Sequence, residues 1–478
     1  MSAAPAALDC TPSNDSLNGQ RYNLDRCQRL PNSSILQDII MAQTRKAASK
    51  AAPAAQTIQR VAIIGGNRTP FARSNTAYSK LSNQELLTAT LRGLVDRYNL
   101  QGKRLGEVVA GAVIKHSKDF NLTREAVLSS GLAPETPAYD IQQACGTGLE
   151  AAILVANKIA LGQIEVGIAG GTDTTSDAPI GVGEGLREIL LDLNRAKTAK
   201  ERMKILGRFR PSHLMPNIPE NGEPRTGMSM GGHCQVTAHE WQIPREEQDV
   251  LAVESHQKLA AAYEEGFFDD LITPLAGLSK DNILRADSSL EKLATLKPCF
   301  DRENGTMTAA NSTALTDGAS CVLMASEAWA KANNLPVRAY LTFSEVAAID
   351  FVEKKEGLLM APAYAVPRLL ERAGLTLQDF DFYEIHEAFA AQVLSTLKAW
   401  EDPVFCKERL GLDKPLGSID RSKMNVKGSS LATGHPFAAT GGRIVATLAK
   451  LLEEKGSGRG LISICAAGGQ GVTAILER

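Results

Sequence analysis

Apolar residues along the chain form short continuous runs that alternate with runs of helical spacing. The run from Val61 to Ile64 ends at two glycines, which predicts a buried strand. Ser82 and Glu85 then form a capping-box pattern, which predicts a helix that extends towards Tyr98. The next apolar run, Val108 to Ile114, predicts another strand. This alternation of strands and helices is typical of an α/β protein.

Two stretches far apart in the chain share one order of strand, junction, helix and strand. In the first, Cys145 lies in the junction before a predicted helix from Leu149 to Ala160. In the second, His435 lies in the junction before a helix with one apolar face. The predicted strands are Tyr139 to Gln142, Val166 to Ala169, Met424 to Val426 and Leu461 to Ile464. The sequence therefore predicts two duplicated α/β halves, each with a reactive side chain at its junction.

The predicted domain organisation follows from where the alternation begins and lapses. Residues 1–56 have too few periodic apolar positions to pack, so we predict a disordered N-terminal extension. Residues 57–176 with 315–336 form the N-terminal half, 177–314 an inserted loop domain, and 337–478 the C-terminal half. The stretch from Met41 to Gln59 is basic and free of acidic residues. A weak transit peptide is one interpretation of this stretch, although we expect Met41 to be the true translation start.

Composition excludes several functional classes. The chain has 52 basic and 54 acidic residues and a formal net charge of -2, so no global charge attracts nucleic acid or an anionic membrane. Its eight cysteines lack CxxC spacing, which argues against a disulfide framework and a zinc site and favours reduced thiols in the cytoplasm. The sequence has no apolar run of the length that a transmembrane helix needs.

One local stretch, residues 187–210, is strongly basic, with eight basic and three acidic side chains. A solvated helix face is the simplest interpretation, and a surface for a phosphate-rich ligand, a partner or a membrane is the alternative. The basic residues are Arg187, Arg195, Lys197, Lys200, Arg202, Lys204, Arg208 and Arg210.

Cys145 is a candidate nucleophile because it lies between a predicted strand and a helix start. The glycines on its helix side allow close approach of another molecule, and N–H groups at a helix N-terminus favour a thiolate. A lone cysteine is more often a small apolar core residue, so that interpretation stays open.

Two histidines are further candidates. The position of His435 ahead of a helix favours a neutral ring that accepts a proton, although a capping role is the alternative. His386 begins a His-Glu pair, but Ala390 stands where a zinc-binding HExxH helix has its second histidine. We therefore expect no catalytic metal.

Cys465 closes a predicted strand and precedes a glycine-rich segment. The predicted order is strand, loop, strand, whereas a dinucleotide-binding loop leads into a helix. We expect a tight hairpin that presents the thiol and a backbone N–H group.

Together these motifs resemble the thiolase family over nearly all of residues 60–478. The presence of His386, where many thiolases have Asn, resembles the degradative branch that includes the β-subunit of the fatty-acid-oxidation trifunctional enzyme. The resemblance implies the thiolase fold, with two duplicated α/β halves in a layered αβαβα core and an inserted loop domain. The matching segments are Arg68–Phe71, Gln143–Gly148, Ala169–Gly171, Gly227–Gly231, Gly305–Asn311, His386–Phe389, Gly434–Pro436 and Cys465–Gly469.

The resemblance also implies roles for individual residues. Cys145 would take the acyl group, His435 would accept its proton, and Cys465 would act as acid and base. One oxyanion hole would use His435 and a water held by His386. The other would use the backbone N–H groups of Cys145 and Ala467, although the family usually has glycine at position 467.

Coenzyme A is the expected substrate, with no tightly bound cofactor. By resemblance, its contacts include Arg285, Met230, Gly231 and Thr313. Thr313 replaces a family serine and Lys292 replaces another. The expected assembly is a homodimer or homotetramer, with a hydratase/dehydrogenase α-subunit as a further partner to be tested. We expect no nucleic acid partner.

The sequence thus predicts a 3-ketoacyl-CoA thiolase of fatty-acid β-oxidation. The nearest alternative is the acetoacetyl-CoA thiolase of the same family, acetyl-CoA C-acetyltransferase, which uses identical residues. More distant alternatives are a decarboxylating ketoacyl synthase, which does not need Cys465, and a non-catalytic scaffold that binds lipid or coenzyme A.

Overall fold

The structure, a computed structural model, describes residues 58–354 and 356–478, and the predicted extension 1–56 lies outside them. The first elements follow the sequence prediction. Ser82 caps the first helix, and its capping box with Glu85 is closed. The elements of the N-terminal half are β1 (Val61–Arg68), β2 (Ala72–Arg73), α1 (Asn83–Arg97), β3 (Glu107–Ala110), α2 (Leu122–Leu128), β4 (Ala138–Asp140), α3 (Thr147–Ala160) and β5 (Val166–Asp173).

The segment after β5 is mostly helical, as the lapse in alternation predicts. Its elements are α4 (Glu184–Arg195), α5 (Ala199–Leu206), a 3₁₀ turn (Pro211–Leu214), α6 (Met230–Glu240), α7 (Arg245–Glu264) and α8 (Leu290–Ala294). The chain then returns to the N-terminal half through β6 (Thr316–Ser326) and α9 (Glu327–Ala332).

The C-terminal half repeats the plan of the N-terminal half. Its elements are β7 (Ala339–Ala348), α10 (Pro362–Ala373), β8 (Phe382–Ile385), α11 (Ala390–Glu401), α12 (Pro403–Glu408), a 3₁₀ turn (Arg421–Lys423), α13 (Ser430–Thr433), a second 3₁₀ turn (Phe437–Ala439), α14 (Thr440–Lys455), β9 (Arg459–Ala466) and β10 (Gln470–Glu477).

The strands join in one mixed sheet in the order β4-β3-β5-β6-β1-β7-β10-β9-β8, with β2 paired to β6. Strands β3 and β5 pair in parallel, as do β8 and β9. Strand β5 pairs antiparallel with β6, and β9 pairs antiparallel with β10. The two halves therefore match, and the segment between β5 and β6 occupies the place of the short turn between β9 and β10.

Helices cover the strands in layers. Apolar residues of α3 and α14 share one buried cluster with strands of both halves, for example Leu149, Ile444 and Ile464. Helix α1 covers the other face of the N-terminal strands, and α10 and α11 cover the other face of the C-terminal strands. This order of helix, strand, helix, strand, helix confirms the predicted layered α/β fold.

Two strand predictions are wrong: one strand is shorter than predicted, and the other predicted segment is not a strand. Strand β3 ends at Ala110 rather than Ile114. Residues 424–426 form no strand, because Asn425 has a φ of 47° and its side-chain amide makes hydrogen bonds of 2.9 Å to both Ile385 N–H and Ile385 C=O. The Asn425 side chain thus takes the place of a backbone ladder beside β8.

The basic stretch 187–210 lies on exposed helices. Within α4, Ile189 is the buried residue, and α5 has no buried residue. Arg208 pairs with Asp192 at 2.5 Å, and Arg187 pairs with Glu184. These contacts agree with a solvated face and leave the ligand or partner surface a prediction. None of the described helices has both the length and the hydropathy that a membrane-spanning helix needs.

Candidate active site

Cys145 lies on a tight turn between β4 and α3. Ala144 has a φ of 46°, which is unusual for a residue other than glycine. Thr147 stabilises this turn, since its hydroxyl accepts from Gln143 N–H at 2.8 Å and donates to Ala144 C=O at 2.7 Å. The strained turn therefore holds the thiol at the end of the strand.

His435 meets this thiol from the corresponding junction of the C-terminal half. Its Nε2 lies 3.1 Å from Cys145 Sγ, and its Nδ1 lies 2.6 Å from the hydroxyl of Thr440. The backbone N–H of His435 donates to Thr316 Oγ1 at 2.8 Å. Two threonines thus fix the ring and its backbone, and the duplicated junctions deliver a thiol and an imidazole to one point.

His386 follows β8 and lies beside His435, with 4.2 Å between the ring centroids. Its Nδ1 lies 2.9 Å from the Ser430 hydroxyl, whereas Nε2 has no hydrogen-bond partner among the described residues. The next residue, Glu387, is buried and accepts hydrogen bonds from Ser255 and Asn425, both at 2.7 Å. These bonds hold the His386 segment against α7 and leave Nε2 free.

Cys465 lies at the end of β9 in the predicted hairpin. Gly468 and Gly469 have φ values of 76° and 70°, which lets the chain turn tightly into β10. The backbone N–H groups of Ala467 and of Cys145 itself act to lower the pKa of the Cys145 thiol. The hairpin therefore brings a second thiol and a backbone donor to the nucleophile.

Burial dominates the electrostatics of the site. Cys145 is partly buried at the wall of the site, and desolvation by the neighbouring atoms raises its pKa to about 12, against the smaller effect of the Ala467 N–H. Burial thus opposes the thiolate that a helix N-terminus is expected to favour, and the effect of the helix stays a prediction. Burial, and then the charge of Arg443, lowers the pKa of His435 to about 3. His435 is neutral as predicted, and the main reason is burial.

Burial also keeps the other two groups uncharged. It raises the pKa of Cys465 well above its usual value, with a further contribution from Cys145. It lowers the pKa of His386 well below its usual value, together with the nearby His435 and Arg443. The four reactive side chains are thus neutral in the protein without substrate.

A cavity of about 140 Å³ opens onto Cys145, His435 and Cys465. It includes three of the four residues predicted to contact coenzyme A, Met230, Gly231 and Thr313. Gly231 allows the close approach of Phe300, because a Cβ atom there would lie 2.1 Å from the Phe300 ring. The other residues that line the cavity are Cys145, Asn221, Phe300, Leu315, Leu359, Ala388, Phe389, His435, Phe437, Cys465 and Ala467.

The structure separates Arg285 from the other predicted contacts. Arg285 is exposed and lines a neighbouring cavity of about 390 Å³, together with Arg73, His256 and Ser288. Its guanidinium donates to the backbone carbonyls of Ile283 and Leu284 at 3.2 and 3.1 Å. A contact between Arg285 and coenzyme A remains a prediction.

Three contacting residues were missed by sequence reasoning: Thr440, Ser430 and Arg443. Thr440 follows His435 by five positions in the first turn of a helix, a spacing that could have suggested a contact. Ser430 and Arg443 reach His386 only through the fold, and no local pattern indicates them.

Cys145, His386 and His435 are the described residues that could hold a metal ion together. Their ligand atoms lie within 4.8 Å of one another. Nothing in the family resemblance implies a metal, so the expectation of a metal-free mechanism stays a prediction.

Comparison with known proteins agrees with this geometry. The family model "Thiolase, N-terminal domain" matches residues 61–328, and "Thiolase, C-terminal domain" matches residues 337–478. A 3-ketoacyl-CoA thiolase of Yersinia pestis (strain Pestoides F) is 41% identical over 424 residues, which cover 87% of this chain and 97% of that relative.

Solved structures show the same fold. The Bacillus anthracis acetyl-CoA acetyltransferase is 30% identical with a TM-score of 0.74, over 88% of this chain and 100% of that one. Human mitochondrial 3-ketoacyl-CoA thiolase in complex with CoA is 28% identical with a TM-score of 0.72, over 88% of this chain and 98% of that one. With both family models matched, and a thiol and an imidazole joined at the duplicated junctions, the chain belongs to the thiolase family.

Proposed function

We propose that the protein is a 3-ketoacyl-CoA thiolase, which converts a 3-ketoacyl-CoA and coenzyme A into acetyl-CoA and an acyl-CoA two carbons shorter. The observation that carries this proposal is the 3.1 Å contact between Cys145 Sγ and His435 Nε2 in a cavity that also contains Cys465. The 41% identity to curated 3-ketoacyl-CoA thiolases supports the substrate class.

In the first half-reaction, the Cys145 thiol transfers its proton to His435 as the sulfur attacks the 3-keto carbon. The bond between C2 and C3 then breaks, which leaves the acyl group on Cys145 and a carbanion equivalent at C2. Cys465 supplies the proton to C2, and acetyl-CoA departs. The position of Cys465 in the same cavity supports this role.

In the second half-reaction, the Cys465 thiolate takes the proton of an incoming coenzyme A thiol. The new thiolate attacks the acyl carbon, and the Cys145 sulfur leaves and recovers its proton from His435. All the groups return to their initial states, as a ping-pong cycle requires.

Each half-reaction develops a negative oxygen that needs donors. We expect the backbone N–H groups of Cys145 and Ala467, which act to lower the pKa of the Cys145 thiol, to bind one such oxygen. His386, with a free Nε2, and His435 would serve the other, with a water held by His386.

Coenzyme A would enter beside α6. Met230, Gly231 and Thr313 line the reactive cavity and would contact its pantetheine arm. The neighbouring cavity with Arg73 and Arg285 offers positive charge for the phosphates.

Acyl chain length is the property to measure. We expect turnover of both acetoacetyl-CoA and a ten-carbon 3-ketoacyl-CoA, with a Cys145 acyl-enzyme seen by intact mass. Turnover of acetoacetyl-CoA alone would assign the chain to the alternative, acetyl-CoA C-acetyltransferase, the name of the 30% identical Bacillus anthracis structure. Absence of any acyl-enzyme would favour a non-catalytic scaffold.

The assembly and cellular setting are proposed on the family resemblance alone. We propose a cytoplasmic homodimer or homotetramer, with a hydratase/dehydrogenase α-subunit as a candidate partner. Light scattering of the purified protein and copurification from the native cell would test the two statements separately.

A further inference from the structure

The hydroxyl of Ser430 joins His386 to a buried arginine. Ser430 Oγ lies 2.9 Å from His386 Nδ1 and accepts a hydrogen bond of 3.0 Å from Arg443 Nη2. All three residues are buried, with exposed fractions of 3% or less. Burial lowers the pKa of Arg443 to about 10, so its guanidinium remains charged at neutral pH and always donates.

The direction of the bond between Ser430 and His386 follows from where the hydroxyl hydrogen can go. Within residues 58–354 and 356–478, Ser430 Oγ has hydrogen bonds only to Arg443 and His386. Arg443 has no acceptor, so the Ser430 hydrogen is satisfied only by His386 Nδ1. Buried hydroxyl donors are rarely left without a partner. His386 Nδ1 is therefore the acceptor, and the ring proton lies on Nε2.

The proposed function requires the opposite tautomer at His435. When His435 Nε2 accepts the proton of Cys145, the thiol hydrogen points to this nitrogen, 3.1 Å from the sulfur. The proton of the His435 ring then lies on Nδ1 and is donated to Thr440, at 2.6 Å. Two adjacent histidines thus present different atoms to the site, a lone pair from His435 and an N–H from His386.

We propose that Ser430, held by Arg443, is a positioning residue that fixes His386 as the Nε2–H tautomer. Its catalytic consequence rests on the proposed function. A free Nε2–H donates to a water or an oxyanion, whereas the other tautomer presents a lone pair that repels a negative oxygen. Ser430 can have this role only because position 386 is His. An Asn at that position would donate through an amide that has no tautomers.

Nitrogen NMR tests the tautomers directly. In protein labelled with ¹⁵N-histidine, we expect the His386 ring to show protonated Nε2 and unprotonated Nδ1, assigned by loss of its signals in His386→Asn. Ser430→Ala should produce a mixture of the two neutral tautomers. A native His386 ring protonated on Nδ1 would overturn the proposal, whatever the substrate of the enzyme.

A double-mutant cycle tests the catalytic consequence. We expect Ser430→Ala to lower kcat about tenfold in the native background, the size of one charge-assisted hydrogen bond. The same change should have little effect when position 386 is Asn, because no tautomer remains to be fixed. An equal loss in both backgrounds would show a structural role and contradict the proposal.

Ser429 provides a matched control. Its hydroxyl also accepts from Arg443, at 3.2 Å, and it is equally buried, but it has no bond to His386. Ser429→Ala should leave the His386 tautomer and kcat close to native, and a tautomer shift in this variant would contradict the assignment to Ser430. If the native protein has the expected His386 tautomer but shows no thiolase turnover, that result would count against the proposed function alone.

Discussion

Gly148 and Gly441 pack backbone against backbone where the helices of the two halves begin. A Cβ atom on Gly441 would lie 2.6 Å from the carbonyl carbon of Gly148 and 2.1 Å from Leu149 N. A Cβ atom on Gly148 would lie 2.6 Å from Ala438 C=O. The two glycines therefore set the approach of α3 to α14, and with it the distance from Cys145 to His435.

Gly441→Ala should disturb both stability and catalysis. The added methyl group meets backbone atoms that cannot rotate away, so we expect a loss of about 2 to 3 kcal/mol in the free energy of unfolding. A shift of about 1 Å between Cys145 and His435 should lower kcat about 100-fold. Urea denaturation and steady-state turnover measure the two effects.

The control for this variant is Gly207→Ala. A Cβ atom on the exposed Gly207 would meet nothing closer than 3.4 Å, so stability should change by less than about 0.5 kcal/mol. If Gly441→Ala behaved like Gly207→Ala, the glycine contact would not control the site.

Much of the fold was predictable because its signals are local. The Ser82 capping box and the hairpin after Cys465 depend on residues a few positions apart, and both are confirmed. The strand predicted at 424–426 failed because a side chain, that of Asn425, replaces the backbone pairing of a strand. The pattern of apolar and polar residues does not show where a side chain takes the place of backbone pairing.

The reactive groups were predictable, but their charge states were not. Cys145, His435 and Cys465 come together from junctions with recognisable glycine patterns. Burial is the largest cause of the raised pKa of Cys145, and it depends on how closely distant segments pack around the thiol. The contact of Arg443 with Ser430 likewise exists only in the folded chain.

Alkylation of free Cys145 should depend steeply on pH. Burial raises the pKa of this thiol to about 12, so the thiolate fraction should rise about tenfold per pH unit through the neutral range. The rate of inactivation by iodoacetamide between pH 6 and 9 measures this, with substrate protection to identify the site. A plateau in that range would indicate a preformed thiolate–imidazolium pair instead.

Cys465→Ala should abolish carbon–carbon bond cleavage and formation, because no other group in the site is proposed to transfer the proton at C2. Cys145 should still be acylated by acetyl-CoA, as seen by intact mass. Cys321→Ala is the control, since Cys321 is equally buried but belongs to a separate apolar cluster. Normal turnover of Cys465→Ala would refute the mechanism. It would favour the alternative of a decarboxylating ketoacyl synthase, which does not need Cys465.

Arg68 and Asp281 form a buried ion pair between β1 and the inserted segment. Two bonds, of 2.6 and 2.8 Å, join the guanidinium to the carboxylate, and Phe71 N–H and the Tyr263 hydroxyl donate to the same carboxylate. Burial acts to lower the pKa of Arg68, but Asp281 outweighs it and the pKa is raised. The pair therefore ties the segment that carries the proposed coenzyme A contacts to the core.

Asp281→Asn should destabilise the protein by about 3 to 5 kcal/mol, because it leaves the Arg68 charge buried and unpaired. The loss should appear as a lower urea midpoint, and turnover of the folded fraction should be retained because neither residue lines the reactive cavity. Glu184→Gln is the matched control, since its partner Arg187 is exposed and solvent screens the pair. We expect no measurable shift in its midpoint. Equal midpoints for the two variants would mean that the Arg68 pair does not hold the insertion to the core.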